Sequence, residues 1–455
     1  MKTLLQGGAV VSGTGVQRAD VLLENGLIIG VGPDLPEEDA RTVDCTGRLL
    51  FPGFIDGHTH FDLEVCGTIT ADDFRTGGRA ALRGGTTTVI DFAAPDKGET
   101  LSHGLRRWQE KAACAVCDYG FHMTIDDWNE TIEKETGEML KQGISSFKMY
   151  MTYPAMMLPE GDMYKALLRL KEVGGIAGVH CENSGLIDAL IADAKAAGRM
   201  SPASHPRTRP APLEAEAVGH LLRMAQVADV PVIIVHLSAK ESLQEVCAAR
   251  KRGQTVYVET CPHYLLLEDS VYDNPDYMEA AKFVCAPPIR KKEDREALWE
   301  ALKNGEIQTV ATDHCSFTLA QKRAGRYDFT KIPGGLPGVE HRGILLYTYG
   351  VAEGRISAED MCRVLSENPA KLYGCWPQKG VIAPGSDADI VVFNPNTEGV
   401  ITAADQVQNV DYTPYEGFRT KGRIEQVYLR GTLAVYHNRT QETKGEFIRR
   451  GKCLL

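Results

Sequence analysis

The middle of the chain alternates short apolar runs with longer segments of helical periodicity, and this alternation restricts the fold more than any other feature. Segments such as EAEAVGHLLRMAQVA and KESLQEVCAARKRG repeat their apolar residues at helical spacing. Eight runs between such segments have the length and apolar content of buried strands: LLFPGFIDGHTH, TTTVIDFA, DYGFHMTI, ISSFKMYM, IAGVHCEN, VPVIIVHLS, TVYVETCP and IQTVATDHC. The alternation predicts a parallel sheet, because parallel strands need long crossover connections that are usually helices.

Eight strand and helix units in one continuous stretch predict an α/β fold with a closed (β/α)₈ TIM barrel. An open, doubly wound parallel sheet is the alternative fold for such an alternation. That sheet is disfavoured because no glycine-rich fingerprint follows the first strand.

The two ends of the chain have a different pattern, in which short strands are separated by Gly and Asn turns. LLQGGAVVSGTGV and DVLLENGLIIGVG near the start resemble PGSDADIVVFNP and RIEQVYLRGTLAVYHN near the end. We therefore expect both ends to complete one small β-sandwich domain. The predicted organisation is a first sandwich part, the barrel, a second sandwich part and a C-terminal tail that could pack on a neighbouring subunit: residues 1–50, 51–376, 377–440 and 441–455.

The composition restricts partners and location. Lys and Arg number 50 against 61 Asp and Glu, and no basic run suggests nucleic acid or an anionic membrane as a partner. The twelve cysteines are scattered, the N-terminus does not resemble a signal peptide, and no apolar stretch has the length of a membrane span. We expect a cytoplasmic protein with a small-molecule substrate.

Polar residues follow the predicted strands at their C-terminal ends. In a barrel these ends meet on one face, where the active sites of this fold lie. Alternate residues of a strand point the same way, so both histidines of HTH can reach one ion. Four imidazoles and a carboxylate suit zinc or a similar divalent metal. One such histidine is more often structural, but six polar groups in one layer predict a metal centre: His58, His60, Lys148, His180, His236 and Asp313.

Lys148 is unusual because it lies in the buried-strand pattern ISSFKMYMTY with no carboxylate within six residues on either side. Burying an ammonium group without a partner costs several kcal/mol. The lysine is therefore expected to lose its proton, to find a distant partner or to be chemically modified.

Several motifs in their order along the chain resemble the cyclic amidohydrolases, in particular the dihydropyrimidinase and hydantoinase branch: PGFIDGHTH, GGTTTVIDF, ISSFKMYMTY, HCEN, VHLS, ATDHCSF and GSDADIVVF. TDHCSFTLAQK and LPGVEHR are most similar to the bacterial D-phenylhydantoinases. The resemblance implies a TIM barrel of the metal-dependent hydrolase type with the small β-sandwich domain. It also implies zinc-dependent ring opening of 5-substituted hydantoins or dihydropyrimidines to N-carbamoyl products.

The resemblance further implies that carbon dioxide carbamylates Lys148 to N6-carboxylysine, which bridges two Zn²⁺ ions. One ion would be held by His58, His60, Lys148 and Asp313, and the other by Lys148, His180 and His236. Asp313 would take the proton of the attacking hydroxide and pass it to the leaving nitrogen. Tyr153 would stabilise the oxyanion. Family members are commonly homotetramers, so a homotetramer or a homodimer is expected.

Substrate binding is where the chain departs from the family pattern. Many hydantoinases have serine and asparagine where Ala286 and Gly334 stand in CAPPIR and KIPGGLPG. The family uses these positions mainly through backbone groups, which any residue except proline supplies in full. Both are therefore expected to bind the cyclic amide. The group on the fifth ring carbon is expected to meet four apolar residues at family pocket positions: Leu63, Val65, Tyr150 and Met157.

Two related activities and one class of non-catalytic proteins compete with this assignment. Dihydroorotases bind the substrate carboxylate through an arginine at the position of Asp62, so an orotate-type substrate is disfavoured. Allantoinase activity stays an open alternative. The natural substrate and the D or L preference are also open. Dihydropyrimidinase-like scaffold proteins keep the fold but lose metal ligands, whereas all six ligand positions are intact here.

Overall fold

A computed structural model describes residues 2–36 and 38–455 of the chain. Its strands are β1 (Lys2–Ser12), β2 (Gly15–Glu24), β3 (Leu27–Gly32), β4 (Ala40–Asp44), β5 (Leu49–Pro52), β6 (Phe54–Thr59), β7 (Glu64–Val65), β8 (Thr68–Ile69), β9 (Thr86–Ala93), β10 (Asp118–Thr124), β11 (Ser146–Tyr150), β12 (Ile176–His180), β13 (Val232–Ile234), β14 (Val256–Thr260), β15 (Thr309–Val310), β16 (Ile390–Val400), β17 (Arg419–Leu429), β18 (Thr432–Tyr436) and β19 (Arg439–Thr440).

The α-helices are α1 (Thr76–Arg83), α2 (Leu101–Lys111), α3 (Glu130–Lys141), α4 (Glu160–Val173), α5 (Ser184–Ala196), α6 (Ser204–Thr208), α7 (Ala211–Ala228), α8 (Lys240–Lys251), α9 (Pro262–Leu266), α10 (Tyr277–Ala281), α11 (Lys292–Lys303), α12 (Leu319–Lys322), α13 (Arg342–Leu346), α14 (Ala358–Cys362) and α15 (Asn368–Leu372). The two segments predicted from helical periodicity are α7 and α8. Within residues 2–36 and 38–455, no helix has the length and apolarity that a membrane crossing requires.

Eight strands form one parallel sheet in the order β6, β9, β10, β11, β12, β13, β14 and β15. A parallel bridge between Thr59 and His314 joins the end of the first strand to the segment after the last and closes the sheet. The closed barrel predicted from the alternation is therefore confirmed. The register sets Thr124 of β10 beside Lys148 of β11, and Tyr150 beside His180 of β12.

The strands are shorter than the apolar runs that predicted them. LLFPGFIDGHTH is divided at Gly53 between β5, which belongs to a different sheet, and β6 of the barrel. Gly53 packs closely there, since an added Cβ would lie 2.2 Å from the Thr87 hydroxyl. β13 and β15 end before His236 and Asp313, because both residues have left-handed backbone with φ of 40° and 49°.

A second sheet combines the two ends of the chain, as the turn-rich pattern predicted. Its strands run in the order β19, β18, β17, β16, β5, β1, β2 and β3, with β4 paired to β1. The contact between the two ends is made by β16 and β5, where Val391 lies opposite Phe51. Leu5, Val21 and Ile390 belong to the apolar cluster packed on this sheet. The domain boundaries themselves stay predictions.

The C-terminal tail lies along the end of the barrel where the strands begin. The Tyr119 N–H donates to the Glu446 carbonyl at 3.0 Å, and the Ile448 N–H donates to the Tyr119 carbonyl at 2.7 Å. Arg450 is buried and donates from Nη1 to the Ser146 hydroxyl at 2.8 Å. The tail thus packs on its own barrel, and its contact with a neighbouring subunit stays a prediction.

Arg342 at the start of α13 connects strands of the barrel beside β15, which is only two residues long. The side chain is fully buried. Its Nη1 donates to the carbonyls of Ile55 in β6 and Val310 in β15, at 2.8 and 2.9 Å. Its Nη2 donates to the Thr86 hydroxyl in β9 at 2.9 Å, and Nε lies 3.9 Å from the Asp56 carboxylate. One guanidinium thus bonds the first, second and last strands.

We expect Arg342→Met to lower the free energy of unfolding by about 3 to 5 kcal/mol. The substitution removes the guanidinium that bonds the buried carbonyls of Ile55 and Val310 and that lies near the Asp56 carboxylate. Urea unfolding followed by circular dichroism measures the change. Arg355→Met is the matched control, since Arg355 pairs with Glu296 at 2.9 Å on the surface, where such a pair contributes about 0 to 1 kcal/mol. Equal losses for the two variants would contradict the role assigned to Arg342.

Candidate metal centre

The structure brings the six residues predicted as ligands to one end of the barrel, where the strands finish. His58, Lys148 and His180 lie within β6, β11 and β12, and His180 is the last residue of its strand. His60, His236 and Asp313 lie one, two and three residues after the ends of β6, β13 and β15, at residues 59, 234 and 310. The parallel sheet therefore gathers side chains that are up to 255 residues apart in the sequence.

One half of the centre is built around the Asp313 carboxylate. Its Oδ1 lies 3.1 Å from Nε2 of His58 and 3.1 Å from Nε2 of His60. One donor atom each from His58, His236 and Asp313 all lie within 4.8 Å of one another. Imidazole and carboxylate donors at this spacing are suited to binding divalent metal.

The other half contains His180 and His236, whose ring centroids are 4.5 Å apart. His236 also lies beside His58, with 5.4 Å between the ring centroids, and so connects the two halves. The Lys148 side chain is 1% exposed at the residue level, and its Nζ lies 4.9 Å from the Phe92 ring and 5.0 Å from the Tyr150 ring. Across the described residues this ammonium has no carboxylate within ion-pair distance.

Burial controls the protonation of these groups. It lowers the pKa of Lys148 to about 8, against the opposing effect of Asp313 and Glu259. It also lowers the pKa of His60 to about 4 and that of His236 well below its ordinary range. Neutral imidazoles keep the free electron pair that a metal needs.

Two residues of the centre have pKa values set mainly by their neighbours. Although burial opposes ionisation, His58 and His60 hold the pKa of the Asp313 carboxyl well below its usual value. Burial also opposes ionisation of His58 and by itself would lower its pKa, but Glu259 and Asp313 raise the pKa of His58 to about 9. The carboxylates that favour a proton on His58 equally favour a metal cation beside it.

Two ring nitrogens support the fit of a metal to this centre. Nε2 of His58 and Nδ1 of His236 are buried and make no hydrogen bond within residues 2–36 and 38–455. Buried polar atoms without partners are rare in folded proteins. Divalent metal bound at the centre would give these histidines the partners that they lack, and the donor set of four imidazoles and one carboxylate suits zinc.

Two carboxylates behind the centre were not anticipated from the sequence. Glu259 in β14 accepts a hydrogen bond from Nδ1 of His58 at 2.6 Å and one from the His236 N–H at 3.2 Å. Such a carboxylate fixes the ring orientation and makes the other ring nitrogen a better ligand. The available signal was a glutamate inside the apolar run TVYVETCP.

Glu182 plays the matching role for His180. Its Oε2 lies 2.7 Å from Nε2 of His180 and 2.5 Å from Nη1 of Arg209. Although burial acts to raise it, Arg209 and His180 lower the pKa of Glu182 to about 2. The carboxylate is therefore charged, and it engages Nε2 of His180 and not Nδ1.

Tyr153 lies on the loop after β11, next to the second half of the centre. Its ring centroid is 5.2 Å from that of His180, and the Arg209 guanidinium carbon lies 5.6 Å from its ring. Burial raises the pKa of the Tyr153 phenol far above neutrality, so the hydroxyl keeps its proton and can donate it in a hydrogen bond. Tyr153 has a φ of 67°, a backbone strain of the kind that collects at functional sites.

The backbone groups of Ala286 and Gly334 differ from those of neighbouring residues in their hydrogen bonding. Nearby carbonyls are occupied: that of Cys285 accepts from His205 at 2.7 Å, and that of Pro287 accepts from Tyr264 at 2.7 Å. The N–H and C=O groups of Ala286 and Gly334 make no hydrogen bond among the described residues. Their role in binding the cyclic amide stays a prediction.

The four apolar pocket residues lie in two places. Leu63 and Val65 are half-buried and belong to the turn formed by β7 and β8, where Val65 pairs with Thr68. Met157 is half-buried and lines a cavity of about 230 Å³ that also contacts Glu182, while Leu63 and Val65 lie outside this lining. Tyr150 is buried beside Tyr153, with 6.2 Å between the ring centroids. A single pocket formed by all four stays a prediction.

Known proteins match the chain over almost its whole length. The sequence profile of the amidohydrolase family matches residues 49–434. A D-hydantoinase from Streptomyces coelicolor is 43% identical over 453 residues, which cover 98% of this chain and 96% of that protein. A D-phenylhydantoinase from Escherichia coli is 41% identical over 458 residues, with coverage of 99% and 98%. The crystal structure of a dihydropyrimidinase from Brevibacillus agri is 40% identical with a TM-score of 0.98, and 100% of this chain and 99% of that one are covered.

We expect Glu259→Gln to weaken divalent-metal binding by about 10- to 100-fold, because the variant no longer offers His58 a charged acceptor. Zinc titration of the chelator-treated protein, followed by elemental analysis, measures the loss. Glu268→Gln is the matched control, since Glu268 lies at the surface and pairs with Arg295 at 2.7 Å. Unchanged zinc affinity in a folded Glu259→Gln protein would remove Glu259 from the centre.

Proposed function

The chain belongs to the amidohydrolase family, and from that premise we propose how it hydrolyses cyclic amides by opening their rings. Hydantoinases and a dihydropyrimidinase are similar to it along nearly its whole length. The observation that carries the proposal is the convergence of four histidines and Asp313 around the buried, unpaired Lys148 at the end of the barrel. The family is generally metal-dependent, and this cluster is the candidate metal site.

We infer that the centre holds two zinc ions. His58, His60 and Asp313 would hold the first ion, and His180 and His236 the second. Lys148 would join both ions as a carbamate, whose two oxygens can each bind one metal. Its burial supports this, because a pKa near 8 leaves a neutral amine fraction that can attack carbon dioxide. The nitrogen bonds to the carbon of carbon dioxide and loses a proton, which leaves the N6-carboxylysine anion.

When bound, the two zinc ions supply Lewis acidity that lowers the pKa of water and polarises a carbonyl. Asp313 would accept the proton that water loses as its oxygen attacks the ring carbonyl carbon. The pKa of Asp313 lies well below its usual value, so the carboxyl group is ionised and its oxygens carry no proton before the reaction. Asp313 then gives the proton to the ring nitrogen as the C–N bond breaks, so the products are a carboxylate and an open N-carbamoyl chain.

Tyr153 would donate a hydrogen bond to the carbonyl oxygen as negative charge develops there. Two observations support this assignment. The ring lies 5.2 Å from His180, and burial keeps the phenol protonated. Hydrogen-bond donors of this kind are most effective when the protein fixes them in advance, and the strained backbone of Tyr153 with Arg209 on its ring supports such fixing.

We propose that the ring amide binds to the free backbone groups of Ala286 and Gly334. The side chains absent at these positions are then of little importance for that contact. At Gly334 an added Cβ would meet no atom within 4 Å, so steric crowding does not require glycine there. Leu63, Val65, Tyr150 and Met157 would receive the substituent on the fifth ring carbon. A homotetramer or homodimer and a cytoplasmic location stay predictions from the sequence.

The substrate class is tested with zinc-loaded enzyme on 5-phenylhydantoin, hydantoin, dihydrouracil, allantoin and a hydantoin with a carboxymethyl group. We expect 5-phenylhydantoin to exceed the charged analogue in kcat/KM by about tenfold or more, because the proposed pocket is apolar and cannot solvate a carboxylate. Chromatography of the N-carbamoyl products gives the rates. Turnover of allantoin about tenfold faster than that of 5-phenylhydantoin would show that the substrate class is wrong.

The bridging role of Lys148 is tested with Lys148→Ala. The variant is expected to stay folded but to lose most of its zinc and activity, because the ligand common to both ions is gone. Acetate or propionate should restore part of both by occupying the vacated position. Zinc content per chain and turnover with and without added acid are the measurements.

Lys165→Ala is the control for that experiment, since Lys165 lies on the surface of α4 and pairs with Asp162 at 3.1 Å. It should keep full metal content and show no response to acetate. Retention of two zinc ions and near-native turnover by Lys148→Ala would mean that Lys148 is only a buried side chain.

A further inference from the structure

The short helix α12 lies where three segments assigned to substrate meet. These are the loop with Ala286, the loop with Gly334, and the hairpin of β7 and β8, which carries Val65. Two adjacent side chains of α12, Gln321 and Lys322, make hydrogen bonds to all three. Neither residue contributes to the metal centre or to the chemistry described above.

We propose that Gln321 and Lys322 are positioning residues that determine two separate parts of substrate recognition. Lys322 fixes the two loops that bind the ring amide, and Gln321 fixes the hairpin that covers the ring substituent. The inference rests on the proposed function, since it takes the backbone of Ala286 and Gly334 as the amide-binding groups.

Lys322 is completely buried, and its ammonium group donates to three backbone carbonyls. Nζ lies 3.0 Å from the Val284 oxygen, 3.1 Å from the Pro333 oxygen and 2.9 Å from the Gly335 oxygen. An ammonium has three N–H donors, so each carbonyl receives one. Burial lowers the pKa of Lys322 to about 8, which leaves the charged form with three donors predominant at neutral pH.

The position of these carbonyls connects Lys322 to the substrate. Pro333 and Gly335 flank Gly334, and their carbonyls both turn toward the ammonium. Val284 lies two residues before Ala286, and its carbonyl also accepts the Gly335 N–H at 3.0 Å. The neighbours are therefore bonded to one another, while the backbone groups of Ala286 and Gly334 are left for the ring. If the ammonium is removed, both loops lose their common anchor.

The Gly334 loop is also attached to the segment that carries Asp313. The Cys315 N–H donates to the Leu336 carbonyl at 3.1 Å, and His314 and Leu336 form a parallel bridge. At Gly335 an added Cβ would lie 2.4 Å from the Cys315 carbonyl oxygen, so the two segments are in close contact. Lys322 thus holds the amide-binding loops at a fixed place relative to the catalytic carboxylate.

Gln321 acts on the other side of α12. Its Nε2 donates to the Thr68 hydroxyl at 2.8 Å and to the Ile69 carbonyl at 2.6 Å. Thr68 lies directly opposite Val65 in the hairpin. The Gln321 Oε1 accepts the Thr318 N–H at 2.8 Å, which fixes the amide at the start of the helix. Gln321 therefore holds the hairpin by its return strand without touching the amide-binding loops.

The test separates the two roles by substrate. KM and kcat are measured for hydantoin, which has no substituent, and for 5-phenylhydantoin. Lys322→Met should raise KM for both substrates by a similar factor of about tenfold, with kcat changed by less than about threefold, because the ring amide is common to both. Gln321→Leu should raise KM for 5-phenylhydantoin by about tenfold and leave that for hydantoin within about twofold.

Further variants keep the test decisive. Lys322→Gln retains two N–H donors and should give a KM between those of the wild type and Lys322→Met; it also decides the matter if Lys322→Met does not fold. Lys331→Met is the matched control, since Lys331 is exposed shortly before the Gly334 loop, and its KM values should equal those of the wild type. Zinc content should be unchanged in every variant.

Several results would overturn the inference. Unchanged KM values in Lys322→Gln and Gln321→Leu would show that the loops keep their places without these bonds. Loss of zinc, or a fall in kcat with no change in KM, would show a general structural role, as would failure of both Lys322 variants to fold. These outcomes leave the proposed function standing if the wild type opens both rings. If the wild type opens neither ring, the proposed function fails, and the inference fails with it.

Discussion

A lysine side chain enclosed in the barrel, with no carboxylate partner among residues 2–36 and 38–455, is the constraint on which the centre depends. Lys148 is 1% exposed, and burial lowers its pKa to about 8. The groups around it include neutral imidazoles and an ionised carboxylate, which are suitable ligands for a divalent cation. Burial keeps His60 and His236 neutral, while Asp313 stays ionised. Glu259 and Glu182 orient two further imidazoles from behind. Divalent cations at its centre, as proposed, would be bound by these imidazoles and would balance the charge of the carboxylates.

The fold could be predicted from the sequence because its main signal is local. Strands such as β9 and helices such as α7 follow from the spacing of apolar residues within one segment. The six candidate ligands were also visible, since each stands at the end of such a strand; their role as ligands stays a prediction. Glu259 was missed because its partner His58 is 201 residues away and no local pattern marks the pair. Arg342 and Lys322 were missed for the same reason, since both act on carbonyls from distant segments. The ends of β13 and β15 depend on left-handed residues that apolar spacing does not reveal.

The binding proposed for Ala286 and Gly334 illustrates how side-chain differences at a site can be an unreliable guide to its function. Both positions lack the polar side chain that the family pattern has, and a comparison of side chains alone would suggest lost binding. In the structure the carbonyls of their neighbours accept hydrogen bonds from His205, Tyr264 and Lys322. In the part of the chain that the structure describes, the backbone groups at the two altered positions have no such partner. Recognition of this kind tolerates substitution, provided that the segments beneath the loops keep them in place.

The bridge between Thr59 and His314 has a consequence for how the protein matures. It joins the first and last parts of the barrel next to Asp313, and His60 and Asp313 are 253 residues apart in the chain. Contacts between such distant residues form late in folding, because a long loop must close first. The binding centre therefore does not exist while the polypeptide is emerging from the ribosome. In the proposed mechanism, metal and carbon dioxide would enter a barrel that is already closed, so the loading of the centre would follow the folding of the chain.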